Sequence, residues 1–203
     1  FMAALLSGHI DDMTKVTQYV GVMRRIGIKL LPPDINESST AFAAKGNDIS
    51  FGLAAIKNVG RAFVEQVVIE RENAPFKSLT DFCRRTHDNG LNKRGLESLI
   101  MAGAFDSLGG RRSQYLAVFE KLTGSIASGA RVNISGQISL MGEADADDDL
   151  PDIAEFSRRD LLTMEKEMTG IYITGHPLDN YKEIIQKNRD IAIGVINESF
   201  EDR

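Results

Sequence analysis

A mainly α fold is what this sequence predicts: short helices, one small β-hairpin and a flexible acidic linker. Three observations predict it. Apolar residues recur at three- and four-residue spacing in several separate stretches, each the mark of one buried helix face. Gly, Asn and Pro punctuate the chain between those stretches, so the helices are short. From roughly residue 127 to 156 the periodicity disappears, and Gly, Ser, Ala and Asp dominate as in a linker.

The opening FMAALLSGHI is apolar but too short to span a membrane. It has no basic residue before it and no cleavage site, so it makes a poor signal peptide, and its lack of an initiator Met suggests a piece of a longer chain. In DDMTKVTQYVGVMRRIGI, Val16, Tyr19, Val20, Met23 and Ile26 form one face of an amphipathic helix. Asp11 or Asp12 can cap its start and Gly27 can end it. LPPD then forbids further helix, because proline lacks the donor and restricts its predecessor. AFAAKGNDISFGL reads as the small hairpin, turning at Gly46 and Asn47, and as the only β-structure of the first half.

Helices return in short pieces. GLAAIKNVGRAFVEQVVIERE holds a short apolar helix, a tight turn at Asn58, Val59 and Gly60, and a longer helix with Val64, Val67 and Val68 inward. Ser78 caps the next, with Asp81 three residues on. LNKRGLESLIMAG starts after Asn92 and stops near Gly103, and RRSQYLAVFEKLTGSI sets Tyr115, Leu116, Phe119 and Leu122 on one face. Past the linker, Ser157 caps FSRRDLLTMEKEMTG, with Asp160 three residues later and Phe156 able to staple onto Leu161. GIYITGHPLDNY leads to a helix through YKEIIQKN, and the closing DIAIGVINESF is too short to form a domain.

Composition narrows the chemistry. With 203 residues, the chain makes one large domain or two small ones. One cysteine, Cys83, cannot form an internal disulfide, which fits a reducing cytoplasmic setting, and no apolar run points to a membrane. The net charge of −5 hides an asymmetry. Residues 52–115 hold ten Lys or Arg against seven Asp or Glu, whereas 142–167 hold three against ten. The acidic total argues only weakly against nucleic-acid binding, because the local patch decides. His9, His87 and His176 are scattered and give no zinc spacing. His176, before Pro177, reads as part of a turn. The aspartates of DADDD read as a solvated run, and no nucleophile triad, P-loop or dinucleotide fingerprint is present. No catalytic residue, cofactor or metal ligand is expected.

Two turns invite a binding role. In IKNVGRA, Gly60 opens a helix whose first N–H groups lack partners, and the helix dipole adds partial positive charge there. That suits a phosphate oxygen, with Lys57 and Arg61 flanking the turn formed by Asn58 and Gly60. NGLNKRGLESL repeats the logic with Lys93 and Arg94. Each turn alone could be an ordinary helix–helix connection. In tandem they resemble a paired helix-hairpin-helix, which holds duplex DNA through phosphates without reading bases. GRRSQ at 110–114 offers a third basic contact or a merely solvated helix start. In QISLM, residues 137–141, Leu140 and Met141 are apolar within a glycine-flanked, polar stretch. Either the loop folds back on the protein, or this is a linear motif for a partner's groove. In that second case Leu140 and Met141 are the anchors, Gln137 orients, and Ile138 and Ser139 complete the motif.

RRIGIKLLPPDINES, ISFGLAAIKNVGRAFVEQVV, FKSLTDFCRR, LNKRGLESLIMAGAFDSLG and MEKEMTGIYITGHPLDNY resemble consecutive blocks of the alpha subunits of bacterial DNA polymerase III, the replicative C-family DNA polymerases. The resemblance covers about residues 1–181. It implies the end of a fingers domain at 1–37, a duplex-gripping helix-hairpin-helix region at 38–126, and a linker at 127–156 whose QISLM binds the beta sliding clamp. Residues 157–203 would be a helical segment leading toward an OB-fold domain. It implies double-stranded DNA, the sliding clamp and the rest of the polymerase holoenzyme as partners. The family's catalytic aspartates and their Mg2+ belong to a palm domain upstream, so this chain alone is expected not to polymerise DNA. The family's clamp motif resembles Gln-Leu-Ser/Asp-Leu-Phe. Here Ile138 stands in place of the first Leu and Met141 in place of Phe, and Met fills an aromatic pocket less tightly. Two other classes compete: a helical scaffold that joins protein partners without DNA, and a nuclease or ligase accessory with its own metal site.

Overall fold

The computed structural model describes residues 1–127 and 150–187; QISLM at 137–141, the DADDD run and residues 188–203 lie outside them. The chain begins with a helix that periodicity did not predict, α1 (Met2–Ser7), which buries Leu6. At six residues it is too short to show a repeat. Helix α2 (Met13–Arg25) starts on Asp12, whose carboxylate accepts the Lys15 N–H at 3.2 Å, and it buries Val16, Val20 and Met23.

The hairpin is present as β2 (Ala43–Lys45) and β3 (Asp48–Ser50). It gains a third strand that the sequence reading lacked, β1 (Leu30–Leu31). The order is β1-β3-β2; Leu30 lies opposite Ile49 in the parallel pair, and Ala44 opposite Ile49 in the antiparallel one. Two residues offer no alternation to read, which is why β1 escaped notice. The short helix expected before Asn58 is only a 3-10 turn, Leu53–Ala55. The N–H groups of Leu53 and Ala54 are held by the carbonyls of Ser39 and Thr40, so the backbone is anchored to the preceding loop rather than free to wind into a longer helix.

Four helices follow, α3 (Arg61–Asn73), α4 (Leu79–Thr86), α5 (Lys93–Ala102) and α6 (Arg112–Ala127). Ser78 caps α4 and Asn92 caps α5, each accepting the N–H three residues on. Gly103, at φ +85, ends α5 in the left-handed conformation that favours glycine. A chain of edge-on rings ties these elements together. Phe76 meets Phe82 at 5.0 Å, Phe82 meets Phe105 at 5.0 Å, and Phe105 meets Tyr115 at 6.2 Å between centroids. Such pairs each add about 0.5–1.5 kcal/mol beyond burial. Helix α5 is the central element, with Gly95, Leu96, Ser98, Leu99, Ile100 and Ala102 buried.

The far end of the expected linker is not loose. Residues 150–156 lie against the start of α6: Gln114 donates to the Pro151 carbonyl, Arg111 to Asp152 and the Ile153 carbonyl, and Glu155 accepts from the backbone of Arg112 and Ser113. Helix α7 (Arg158–Thr169), capped by Ser157, then packs on α5. Its buried Glu165 turns the chain that follows, accepting the N–H groups of Ile173 at 2.5 Å and Thr174 at 3.1 Å. His176 belongs to the next turn, its Nδ1 accepting the Leu178 N–H, before α8 (Lys182–Lys187). One hydrophobic core runs from Leu6 to Ile171.

Candidate nucleic-acid interface

The two basic turns predicted from sequence meet in space. Asn58 sits at φ +63, in the left-handed region that Asn tolerates better than most residues. That reversal tucks Val59 into the core and brings Gly60 and Arg61 out to the surface where α3 begins. On the other side of the contact, Gly95 is buried in the first turn of α5. A β-carbon placed on Gly95 would stand 3.2 Å from the Asn58 carbonyl oxygen and 3.3 Å from Asn92 Oδ1. Only a glycine lets the first turn approach α5 so closely without displacement. The Asn58 side chain completes the contact, its Nδ2 donating to Ser98 Oγ at 3.0 Å. The Lys57 N–H donates to the Met168 carbonyl at 2.9 Å, so the last turn of α7 braces the same turn.

The two helix starts differ chemically. Gly60 has extended backbone and supplies no side-chain cap to α3. The first N–H groups of α3 therefore have no partner within the helix, and the positive end of its dipole is open. At α5, Asn92 Oδ1 takes the Gly95 N–H at 2.7 Å. There the cations are side chains, Lys93 and Arg94, placed against the helix dipole rather than with it.

All four predicted cations are exposed. Among the described residues, Lys57 and Arg94 have no ion-pair partner. Arg61 pairs with Glu65 one turn along α3, at 3.3 Å. Lys93 pairs with Glu120 of α6 at 2.6 Å, its Nζ lying 6.0 Å from the Phe119 ring centroid. The third basic contact considered, GRRSQ, is not available in this way. Arg112 is buried, donating to the Asp106 carboxylate and the Met101 carbonyl, and Arg111 holds Asp152. Both arginines bind their own chain. Sequence reasoning missed Gly95 and Ser98. A glycine in the first turn of a helix costs about 1 kcal/mol against alanine, and that cost was the legible sign of a close approach.

No helix among the described residues is long and apolar enough to cross a membrane, and no group of three or more His, Cys, Asp or Glu among them could hold a metal ion.

Comparison with known proteins bears on the same region. Residues 27–115 match a family described as a helix-hairpin-helix motif, a span that contains both turns. The chain is 42% identical to the DNA polymerase III subunit alpha of Thermus aquaticus over 99% of its own length and 16% of that protein's. It is 42% identical to the Deinococcus radiodurans subunit over 90% of the chain and 14% of the relative. For the Xylella fastidiosa subunit the identity is 38%, over 92% and 16%. The chain thus spans well under a fifth of the length of the curated relatives it matches. Matched along nearly all of its length, it belongs to the alpha-subunit family of DNA polymerase III.

Proposed function

We propose that this chain holds double-stranded DNA by its sugar–phosphate backbone, without reading bases, and docks on a sliding clamp through residues 137–141. The observation that carries the DNA half is the abutment of two basic turns, with the Asn58 carbonyl against Gly95. Lys57, Asn58, Gly60 and Arg61 form one edge of this surface and Lys93 and Arg94 the other. Neighbouring turns of this kind suit neighbouring phosphates, one met by open N–H groups and the other by side-chain cations. The clamp half rests on the likeness of QISLM to the family's motif. In this reading, template-directed nucleotidyl transfer belongs to the whole polypeptide and its Mg2+ to a palm domain, while the present chain alone is inactive in synthesis. Its setting is the cytoplasm, beside the other subunits of a replicative holoenzyme.

A labelled duplex titrated by fluorescence anisotropy at increasing salt tests the DNA half. Binding is expected to be weak, independent of sequence and steeply salt-dependent, because each neutralised phosphate releases counterions. Lys57→Ala with Arg61→Ala should weaken it and reduce the log–log salt slope by nearly two. Binding without salt dependence, or unaffected by that double substitution, would overturn the assignment of these turns. No binding at low salt would leave a helical scaffold for protein partners.

A further inference from the structure

We infer that Asn58 is a positioning residue for duplex binding: it locks the first basic turn to the second through Ser98 and so sets the distance between their phosphate-binding groups. This rests on the duplex reading above and assigns Asn58 a role other than touching phosphate with its side chain. The amide of Asn58 points inward, where Nδ2 donates to Ser98 Oγ at 3.0 Å. Ser98 is 2% exposed, so the accepting end of that hydrogen bond lies inside the fold, while Asn58 itself sits at the surface.

Everything around Asn58 fixes the same turn. Its left-handed backbone reverses the chain between Lys57 and Arg61. The N–H of Lys57 is held by the Met168 carbonyl, and the Asn58 carbonyl rests against Gly95. Helices α5 and α7 thus hold the turn from two sides, and α5 also carries the second basic turn. The separation between the two turns is set within the folded chain, before any DNA arrives. Rigid presentation lowers the ordering cost of binding, since two groups held at the right spacing engage two phosphates in one event. With the Asn58–Ser98 bond broken, the first turn keeps its brace on α7 but loses its side-chain tie to α5, so the spacing of the two grips is held less tightly.

The test uses the 203-residue chain and three variants: Asn58→Gly, Ser98→Ala and the two combined. Glycine keeps the left-handed backbone and removes the side chain, so the fold of the turn is preserved. Each single variant is expected to bind duplex roughly three- to tenfold more weakly, the range one intramolecular hydrogen bond covers. The combined variant should be no weaker than the weaker single, because both substitutions remove the same bond. The salt slope should also become shallower as the first turn engages its phosphate less often, with the urea midpoint measured in parallel. A purely structural role would shift the midpoint and leave the slope of the folded chain unchanged. Native affinity and slope in all three variants would overturn the inference alone, as would losses that multiply in the combined variant. Failure of the native chain to bind duplex at low salt would overturn it together with the DNA reading.

Discussion

The ammonium of Lys93 lies 2.6 Å from the Glu120 carboxylate, which joins the first turn of α5 to the middle of α6. Both side chains are about half exposed, so the pair contributes at most about 1 kcal/mol to folding. In the proposed duplex complex it bears on binding as well as on stability. A phosphate approaching Lys93 must displace or share that carboxylate, and the carboxylate itself repels the DNA backbone.

Glu120→Gln should therefore tighten duplex binding by about two- to fivefold and steepen its salt dependence, since Lys93 becomes free to release a counterion of its own. Anisotropy at two salt concentrations reads both quantities. Unchanged affinity would place Lys93 away from the DNA path. The variant's stability should stay within about 0.5 kcal/mol of native, as for other exposed positions.

Glu155 closes the start of α6, accepting the N–H groups of Arg112 at 2.8 Å and Ser113 at 3.0 Å. Burial pushes its carboxyl up, but the backbone N–H groups of Phe156, Ser113 and Arg112 outweigh burial and hold it below the ordinary carboxylate range. A group with a depressed folded-state pKa stabilises fully above its unfolded value of about 4.3 and loses that contribution as pH falls through the folded value. Glu155→Gln should cost about 1 kcal/mol at neutral pH, in line with loss of a cap. The difference from native should shrink as pH falls below about 4. Urea denaturation at pH 7 and in acid checks both; a gap that widens in acid would reverse the sign of the linkage.

The helical part of this fold was legible because its signals are local. Ser78, Asn92 and Ser157 announce helix starts by side chains that reach N–H groups three residues away, and all three do so. The hairpin showed itself through Gly46 for the same reason. What stayed hidden depends on partners far along the chain. Strand β1 has meaning only beside Ile49 and Ser50. Glu155 looks like one more acid in an acidic run until α6 is placed beside it, 43 and 42 residues from Arg112 and Ser113. The candidate site divides in the same way. Lys57, Arg61, Lys93 and Arg94 could be named from their places at helix starts, whereas the Asn58–Ser98 bond joins residues forty positions apart. No spacing rule reaches that far.

Gly95→Ala separates fold from function at that contact. Replacing a helical glycine by alanine gains up to about 1 kcal/mol of helix propensity. The new methyl would sit 3.2 Å from a backbone oxygen, Asn58 O, and backbone yields less readily than a flexible side chain. Propensity gain and crowding are expected to offset each other to within about 1 kcal/mol, while the first turn is pushed a few tenths of an ångström from the second. Duplex affinity should fall although the urea midpoint hardly moves. A full gain in stability with native affinity would mean that the turn gives way freely and its spacing does not matter.

The proposed clamp motif makes a test in both directions, although residues 137–141 lie outside the described structure. Burying a Leu or Met side chain in a partner's pocket contributes about 1.5–3 kcal/mol. Leu140→Ala with Met141→Ala should thus weaken binding to an immobilised sliding clamp by two to three orders of magnitude or so in surface plasmon resonance. In this reading the segment serves the clamp alone, so circular dichroism and duplex binding should not change. The opposite change is more discriminating. An aromatic ring buries more area and orders fewer torsions than Met, so Met141→Phe should tighten the same interaction. Loss alone could come from any damage to the segment. A gain on restoring the aromatic, with loss on removing both anchors, requires that Met141 occupy a pocket shaped for a ring. If Met141→Phe weakens binding or leaves it unchanged, Met141 does not sit in such a pocket.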